Sequence, residues 1–380
     1  MSNTIGMIFA NCRSDVLMGL TANRPIAAVP FGGRYRLLDF TLSNMVNYGV
    51  RTVGIITPYH YRPILDHLKS GKEWFLDRKT GGLFILPGVD YGLKAGTSGF
   101  LIRDLIHNID FLKKDRAEEV ILSCCSLVIN LNFKDVLKFH RQKGADITFV
   151  YKEEEIFPGT RRDELFLELD EKDRVQSFSS WFNLEKDKQR KSFLEILIIK
   201  KDLLLELLAN YDASNTKDLL EVIAGHFEEL KVFGYQFSGY VGKIGSIKDY
   251  FERSMDLLDR EVQKELFMGK NKIHTKINDN PPSLYGRETD VTNSLVASGC
   301  KIEGSAENSV LFREVKIEKG AKVKNCIIMQ KCYIEADAIL ENVILDKFAR
   351  VGAGNIIIGK RSQPIVIKKG EYISQKGGVS

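Results

Sequence analysis

The chain lacks glycine where a loop that gathers phosphate oxygens would need it. Residues 5–10 (IGMIFA) read as a buried strand, and residues 30–44 (PFGGRYRLLDFTLSN) as a Gly-Gly turn, an apolar run and a helix start. Between them stand Asn11, Cys12, Arg13, Ser14, Asp15 and Val16. They offer no glycine backbone to crowd a polyphosphate, and they bring a carboxylate that repels one. No stretch reaches the ~18 apolar residues of a helical membrane span. The opening MSNTIGMIF has neither a charged segment nor a long apolar core, so no signal peptide is expected. The six cysteines, at 12, 124, 125, 300, 326 and 332, form no C-x-x-C pair, and two are adjacent within an apolar run. That pattern argues against disulfides and suits reduced, buried thiols in a cytoplasmic protein. No basic tract carries interleaved aromatics, so nucleic acid is not an expected partner. KDKQRK at 186–191 reads as a solvated loop. The six histidines, at 60, 67, 107, 140, 226 and 274, show no metal-ligand spacing, and His140 reads as structural.

What remains is an ordinary globular composition, with 44% apolar and 28% charged residues and a net charge of +5. A length of 380 residues suggests two domains. Over the first ~260 residues strand-like and helix-like patterns alternate, as α/β layering requires. Strands are expected at 50–57, 145–151, 194–199 and 233–240, and helices at 61–68, 133–143 and 202–208. Residues 119–130 (EVILSCCSLVIN) read as one central parallel strand buried on both faces. Residues 265–290, with Pro281–Pro282 and no periodicity, read as a linker between units 1–264 and 291–380. Beyond it, Leu311, Ile317, Val323 and Met329 fall at steps of six, as do Ile339, Leu345 and Val351, and Val296 with Ile302. Such short strands pile into a β-helix, whereas a β-sandwich would show period-two alternation and wider turn spacing.

At these residues the chain resembles the bacterial ADP-glucose pyrophosphorylases (glucose-1-phosphate adenylyltransferases), most closely their non-catalytic GlgD-type subunit. The resemblance rests on Leu20-Thr21, Arg24, the run Ala28 to Asn44, Val53-Gly54 with Thr57, and YVGKIGSIKDYFERSMDLL at 240–258. It implies an α/β fold: a Rossmann-like nucleotidyltransferase domain with a mixed, mostly parallel sheet, followed by a C-terminal left-handed β-helix of hexapeptide repeats.

The active family carries Ala-Gly-Gly-x-Gly-x-Arg-Leu after its first strand. Here the paired glycines become Asn11 and Cys12, the third becomes Ser14, and the arginine becomes Val16. A Cβ makes positive φ expensive, and valine cannot donate to phosphate. A family lysine aligns with Ile26. Of the two metal-binding aspartates, one falls at Ser126 (or Cys125), with no acid anywhere from Val120 to Asn132. The other falls at Lys243, a cation in place of a ligand for Mg²⁺. On the sugar side Gly96, Thr97 and Ser98 retain part of a motif and are vestigial sugar-site candidates. The Glu-Lys-Pro segment is not recognisable in SSWFNLEKDK. No catalytic residue and no metal or cofactor is therefore expected on this chain, and Mg²⁺ is expected in a catalytic partner.

Arg24 and Arg36 correspond to positions near which active relatives bind phosphorylated effectors, and Arg34 sits beside them. The alternative is that these arginines pair with carboxylates such as Asp39 or contact a neighbouring subunit. Gly32–Gly33 reads as a turn. Tyr333, Phe312 and Phe348 read as lateral packing or subunit contacts. The resemblance implies a regulatory, inactive subunit that joins catalytic chains, as a heterotetramer of two and two, with phosphorylated sugars as effectors. Competing readings are an active transferase using Asp39 or Asp90 for metal, a stand-alone sugar-phosphate sensor, and a hexapeptide-repeat acyltransferase. The last is opposed by the absence of histidine between Val291 and Ser380.

Overall fold

The first apolar run becomes β1 (Thr4–Phe9), buried along its whole length. The protein is described here by a computed structural model that covers residues 3–11, 17–88, 99–155, 164–180, 189–212, 214 and 217–374. After β1 come β2 (Pro30–Phe31), β3 (Tyr35–Arg36), α1 (Leu37–Tyr48), β4 (Thr52–Thr57), α2 (Arg62–Leu68) and β5 (Gly82–Pro87). Next are α3 (Ile102–His107), α4 (Ile109–Lys114), β6 (Glu119–Cys124), β7 (Leu127–Ile129), α5 (Phe133–Gln142) and β8 (Ile147–Glu155). The unit continues through β9 (Leu165–Leu169), β10 (Val175–Ser180), β11 (Gln189–Lys200), α6 (Lys201–Ala209), α7 (Leu219–Ala224), β12 (Val232–Gln236), β13 (Val241–Lys243) and α8 (Ile247–Asp256).

Nine strands form one mixed sheet in the order β10-β9-β11-β6-β1-β4-β5, with β8 joining β11 to β12. Its heart, β6-β1-β4-β5, is parallel. Apolar cores fill both faces, one around Trp74, Phe40 and Tyr250 and the other around Phe9, Phe100 and Phe149. The run at 119–130 is not one strand. It breaks after Cys124, because Ser126 turns its hydroxyl to Glu195 and its carbonyl accepts from the Ile244 N–H. β6 then runs parallel to β1 but antiparallel to β11, and β7 pairs with β13 in a separate two-stranded ribbon.

His140 on α5 is structural. Its Nδ1 meets Thr148 Oγ1 at 2.8 Å, and its buried Nε2 has no partner. Burial, against a weaker pull from Glu119, pushes its pKa down to about 4. As pH falls from 6.5, the unfolded chain binds a proton that the native site refuses, so stability drains away toward pH 4. Roughly 2 kcal/mol should be lost through this group between pH 6.5 and 5. Urea unfolding at the two pH values should show a shallower acid slope in His140→Asn than in the parent.

The C-terminal unit is a three-sided left-handed β-helix whose parallel sheets contain six, five and five short strands. Successive coils are seventeen residues apart over Ile317, Ile334 and Val351. Interior residues run Ile317, Val323, Ile328, Ile334, Leu340, Leu345 and Val351, in steps of six and five. The expectation for Met329 and Ile339 is thereby corrected. Met329 is buried outside the coil, against the N-terminal unit, and Ile339 points outward, half-exposed. The five-residue step belongs to the side facing the N-terminal unit, where Val310, Ile327 and Ile344 join its core. At one corner Asn293, Asn308, Asn325 and Asn342 all take positive φ, which asparagine tolerates better than most residues. At another corner Glu314, Lys331, Phe348 and Gly370 do the same.

The first part of the stretch expected as a linker, through Thr275, is a strap packed on the N-terminal unit, and from Ile277 most of it is exposed. Asn130 donates to the carbonyls of Leu266 and Asn271, Asn47 to that of Lys272, and the His274 N–H donates to Ser43. Coil pairing already begins at Leu284–Tyr285, before the expected boundary at 291. The strap shows no periodicity because its backbone, rather than one side-chain face, makes these contacts.

Candidate functional site

Two places concentrate the residues singled out in the sequence. The first is the cleft at the carboxyl ends of the parallel strands, where α/β sheets bind ligands. Asn11, just past β1, donates from Nδ2 to Asp104 Oδ2 at 2.5 Å. Ile26 is fully buried in the apolar core and offers no cation. Ser126 is buried and donates to Glu195 Oε2 at 3.0 Å. Lys243, on β13, donates to Glu154 and to Ser192, and its Nζ lies 3.5 Å from Glu164 Oε2. Cys12, Ser14, Val16, Asp90, Gly96, Thr97, Ser98 and the SSWFNLEKDK segment from Trp181 onward lie outside the described residues.

The divalent cation implied by the family resemblance does not fit these residues. Lys243 already neutralises the two nearest carboxylates, and Ser126 is tied to Glu195. Asp39, the other carboxylate considered for metal, is committed elsewhere. It is fully buried, takes the Arg36 N–H on Oδ2 at 3.0 Å and faces His67 Nε2 across 2.6 Å. Burial, opposed by Asp39, holds the His67 pKa below its usual value.

The second place is a cavity of about 400 Å³ between the two units. The β2–β3 hairpin forms one wall, and its Gly32 and Gly33 both take positive φ (57° and 79°) to make the turn. From this wall come Arg34 and Arg36. The strap supplies Lys276, and stacked β-helix corners supply Arg313, Lys331 and Lys347. Six cations thus face two lining carboxylates, Asp279 and Glu314. Glu314 accepts from Asn280 at 2.9 Å and lies 3.6 Å from Lys331. Burial, reinforced by Arg36 and Arg24, pushes the Lys347 pKa down to about 7. Burial lowers Arg36 to about 10, against the pull of Asp39, and Arg313 is lowered by burial and by Arg34. These cations crowd one another around one cavity, which makes it attractive to an anion.

Of the three arginines that are candidates for effector binding, the structure brings Arg34 and Arg36 to this cavity. Arg24 sits behind it, buried and ion-paired with Asp346 of the β-helix. Its Nη1 is buried without a hydrogen-bond partner. Phe312 and Phe348, expected as lateral packing or subunit contacts, also line the cavity, and Phe312 packs in the core against the N-terminal unit. Tyr333 packs laterally, under the Arg350 guanidinium at 5.0 Å. The sequence reading missed Lys276, Arg313, Lys331 and Lys347. The seventeen-residue coil was the available signal, since it stacks the 313, 330 and 347 corners.

The fold and these two places define a nucleotidyl transferase scaffold joined to a hexapeptide β-helix. Residues 5–260 match the family model for nucleotidyl transferase, and residues 281–372 match that for the GlmU-like C-terminal hexapeptide. The chain is 35% identical over 366 residues to glycogen biosynthesis protein GlgD of Bacillus subtilis (strain 168), covering 96% of both chains. It is 38% identical, with the same coverage, to GlgD of Geobacillus stearothermophilus. It is 30% identical over 383 residues to glucose-1-phosphate adenylyltransferase of Clostridium perfringens (strain SM101 / Type A), covering 98% of this chain and 97% of that one. The chain belongs to the ADP-glucose pyrophosphorylase family, as its own motifs indicated. Among the described residues, no helix is long and apolar enough to cross a membrane.

Proposed function

We propose that this chain is a non-catalytic, regulatory subunit of a cytoplasmic glucose-1-phosphate adenylyltransferase in glycogen biosynthesis. The complex converts ATP and glucose 1-phosphate to ADP-glucose and pyrophosphate, with Mg²⁺ and the reacting groups supplied by a catalytic paralogue. One observation carries this reading: at the position of a family metal ligand, Lys243 is held by Glu154 and lies beside Glu164. An ammonium fixed between carboxylates repels both a divalent cation and any role for those acids in binding one.

The cationic cavity supports a regulatory role. It suits a phosphorylated sugar, whose phosphate would draw Arg34, Arg36 and Lys347 together. The turn Met18–Leu20, directly after the degenerate loop, packs on the coil strand Ile365–Ile367. A ligand that shifts the β-helix against the hairpin would therefore reach the cleft and the surfaces around it. Regulation of a partner further requires that this chain contact the partner's two states unequally.

The test is the purified chain with Mg²⁺, ATP and glucose 1-phosphate, alone and co-expressed with its catalytic paralogue in the expected two-and-two assembly. Alone, turnover should fall at least about a thousandfold below an ordinary enzyme rate of ~10 s⁻¹. Co-expressed, it should change the apparent substrate affinity or maximal rate of the catalytic chain, and sugar phosphates should alter that change. Ordinary turnover by the chain alone, or a mixture indistinguishable from the catalytic chain by itself, would refute the proposal.

A further inference from the structure

We infer that anion binding in the interdomain cavity is coupled to proton uptake by Lys347, so that the site holds its ligand more tightly at pH 6.5 than at pH 8.5. The inference rests on reading the cavity as an anion site and adds a rule for its regulation. Lys347 lies at a β-helix corner, stacked between two other corners. The Phe348 N–H donates to the Gln330 carbonyl at 3.1 Å, and the Gly370 N–H donates to the Lys347 carbonyl at 2.9 Å. The charges acting on it come from every side: Arg36 from the hairpin, Arg24 from the segment before it, Lys369 from the next coil, and Asp346 from its own turn. Lys331 lines the same cavity from the coil below, with Arg313 one coil further, and Arg34 and Lys276 line it from the N-terminal unit and the strap.

Asp346, the one carboxylate in that group, is already paired with Arg24 and also accepts the Lys347 N–H at 2.7 Å. Asp279 and Glu314 line the cavity among its other cations, and His67 is engaged with Asp39. Lys347 is thus a half-buried amine among the cations of Arg36, Arg24 and Lys369, and the one carboxylate acting on it, Asp346, is committed to Arg24. An anion entering the cavity would supply that missing charge and favour the ammonium form. By linkage, a ligand that favours the protonated site binds more weakly once the free site has lost its proton.

With a free-state pKa of about 7, the dissociation constant should rise about twentyfold between pH 6.5 and 8.5. His67 should contribute little across this range, since its pKa already lies below the usual 6.5.

The probe is sulfate, which has no titrating proton of its own in this range. Its binding to the full chain is measured by calorimetry at pH 6.5, 7.5 and 8.5, with chloride keeping the ionic strength constant. Lys347→Arg, whose cation does not titrate here, should bind sulfate with less than threefold change over the same range. Arg36→Gln and Lys347→Met should each weaken binding at pH 6.5 at least tenfold. Parent affinity that does not vary with pH would overturn the coupling while leaving the anion site in place. Unchanged pH dependence in Lys347→Arg would likewise overturn it, by assigning the proton to another group. No sulfate binding by the parent at any pH, or full binding by both weakened variants, would overturn the reading of the cavity itself.

Discussion

Asp346→Asn should lower the unfolding free energy by about 3–5 kcal/mol, the usual cost of removing one partner from a buried ion pair. Arg24 and Asp346 are 5% and 1% exposed, and no solvent can replace the lost charge. Asparagine keeps the shape of the aspartate, so the effect isolates charge from packing. The guanidinium has little spare compensation, because its Nη1 already lacks a hydrogen-bond partner. The fully buried Tyr250 hydroxyl beside the pair is committed to the Pro30 carbonyl at 2.7 Å. The pair also joins residues 322 positions apart, so its loss weakens the seam between the two units rather than a local turn. The double variant Arg24→Met, Asp346→Leu removes both charges of the buried pair and should be markedly more stable than Asp346→Asn alone. Urea denaturation followed by circular dichroism measures both variants. Equal stability of Asp346→Asn and the parent would show that the pair contributes nothing net.

The scaffold was legible because burial repeats. Apolar runs marked the strands that became β1 and β6, and the aliphatic six-step announced the β-helix. Errors arose where a polar contact or a change of face interrupts the repeat. Ser126 bends a run that composition reads as continuous, and the five-residue step displaces Met329 and Ile339 from the interior. The candidate site was half legible. Arg34 and Arg36 stand in one motif, whereas Lys276, Arg313, Lys331 and Lys347 come from the strap and three successive corners. Only the folded coil brings these together, and nothing in local sequence marks a surface lysine as one that a neighbouring unit will cover. Lys243 was recognised as a misfit for metal, but its partners Glu154 and Glu164 lie about 80–90 residues away, across a strand pairing that the resemblance does not specify.

That misfit makes the charge reversal Lys243→Asp the second large-effect experiment. The parent holds a cation between Glu154 and Glu164, and the ammonium is only 16% exposed. The substitution removes the cation and adds a third carboxylate among two others. Partial exposure of Glu154, at 32%, screens part of the repulsion, so the expected loss at pH 7 is about 3 kcal/mol rather than the full cost of a deeply buried charge. The sign of the pH dependence follows. Crowded carboxylates have native pKa values above their unfolded values, so the penalty is present at neutral pH and is relieved as pH falls through those raised values. Divalent cations should relieve it too. A cation at ten times its dissociation constant contributes about 1.4 kcal/mol to the native state. The melting temperature of the variant should therefore rise with millimolar Mg²⁺ or Mn²⁺, while that of the parent stays unchanged. On the proposed function, turnover should not appear, because Asn11, Ser126 and Ile26 stand where the family resemblance implies groups that the reaction needs. A variant as stable as the parent and indifferent to divalent cations would mean that Lys243 is no counter-ion, and the case for a cleft rebuilt around its own internal cation would fail.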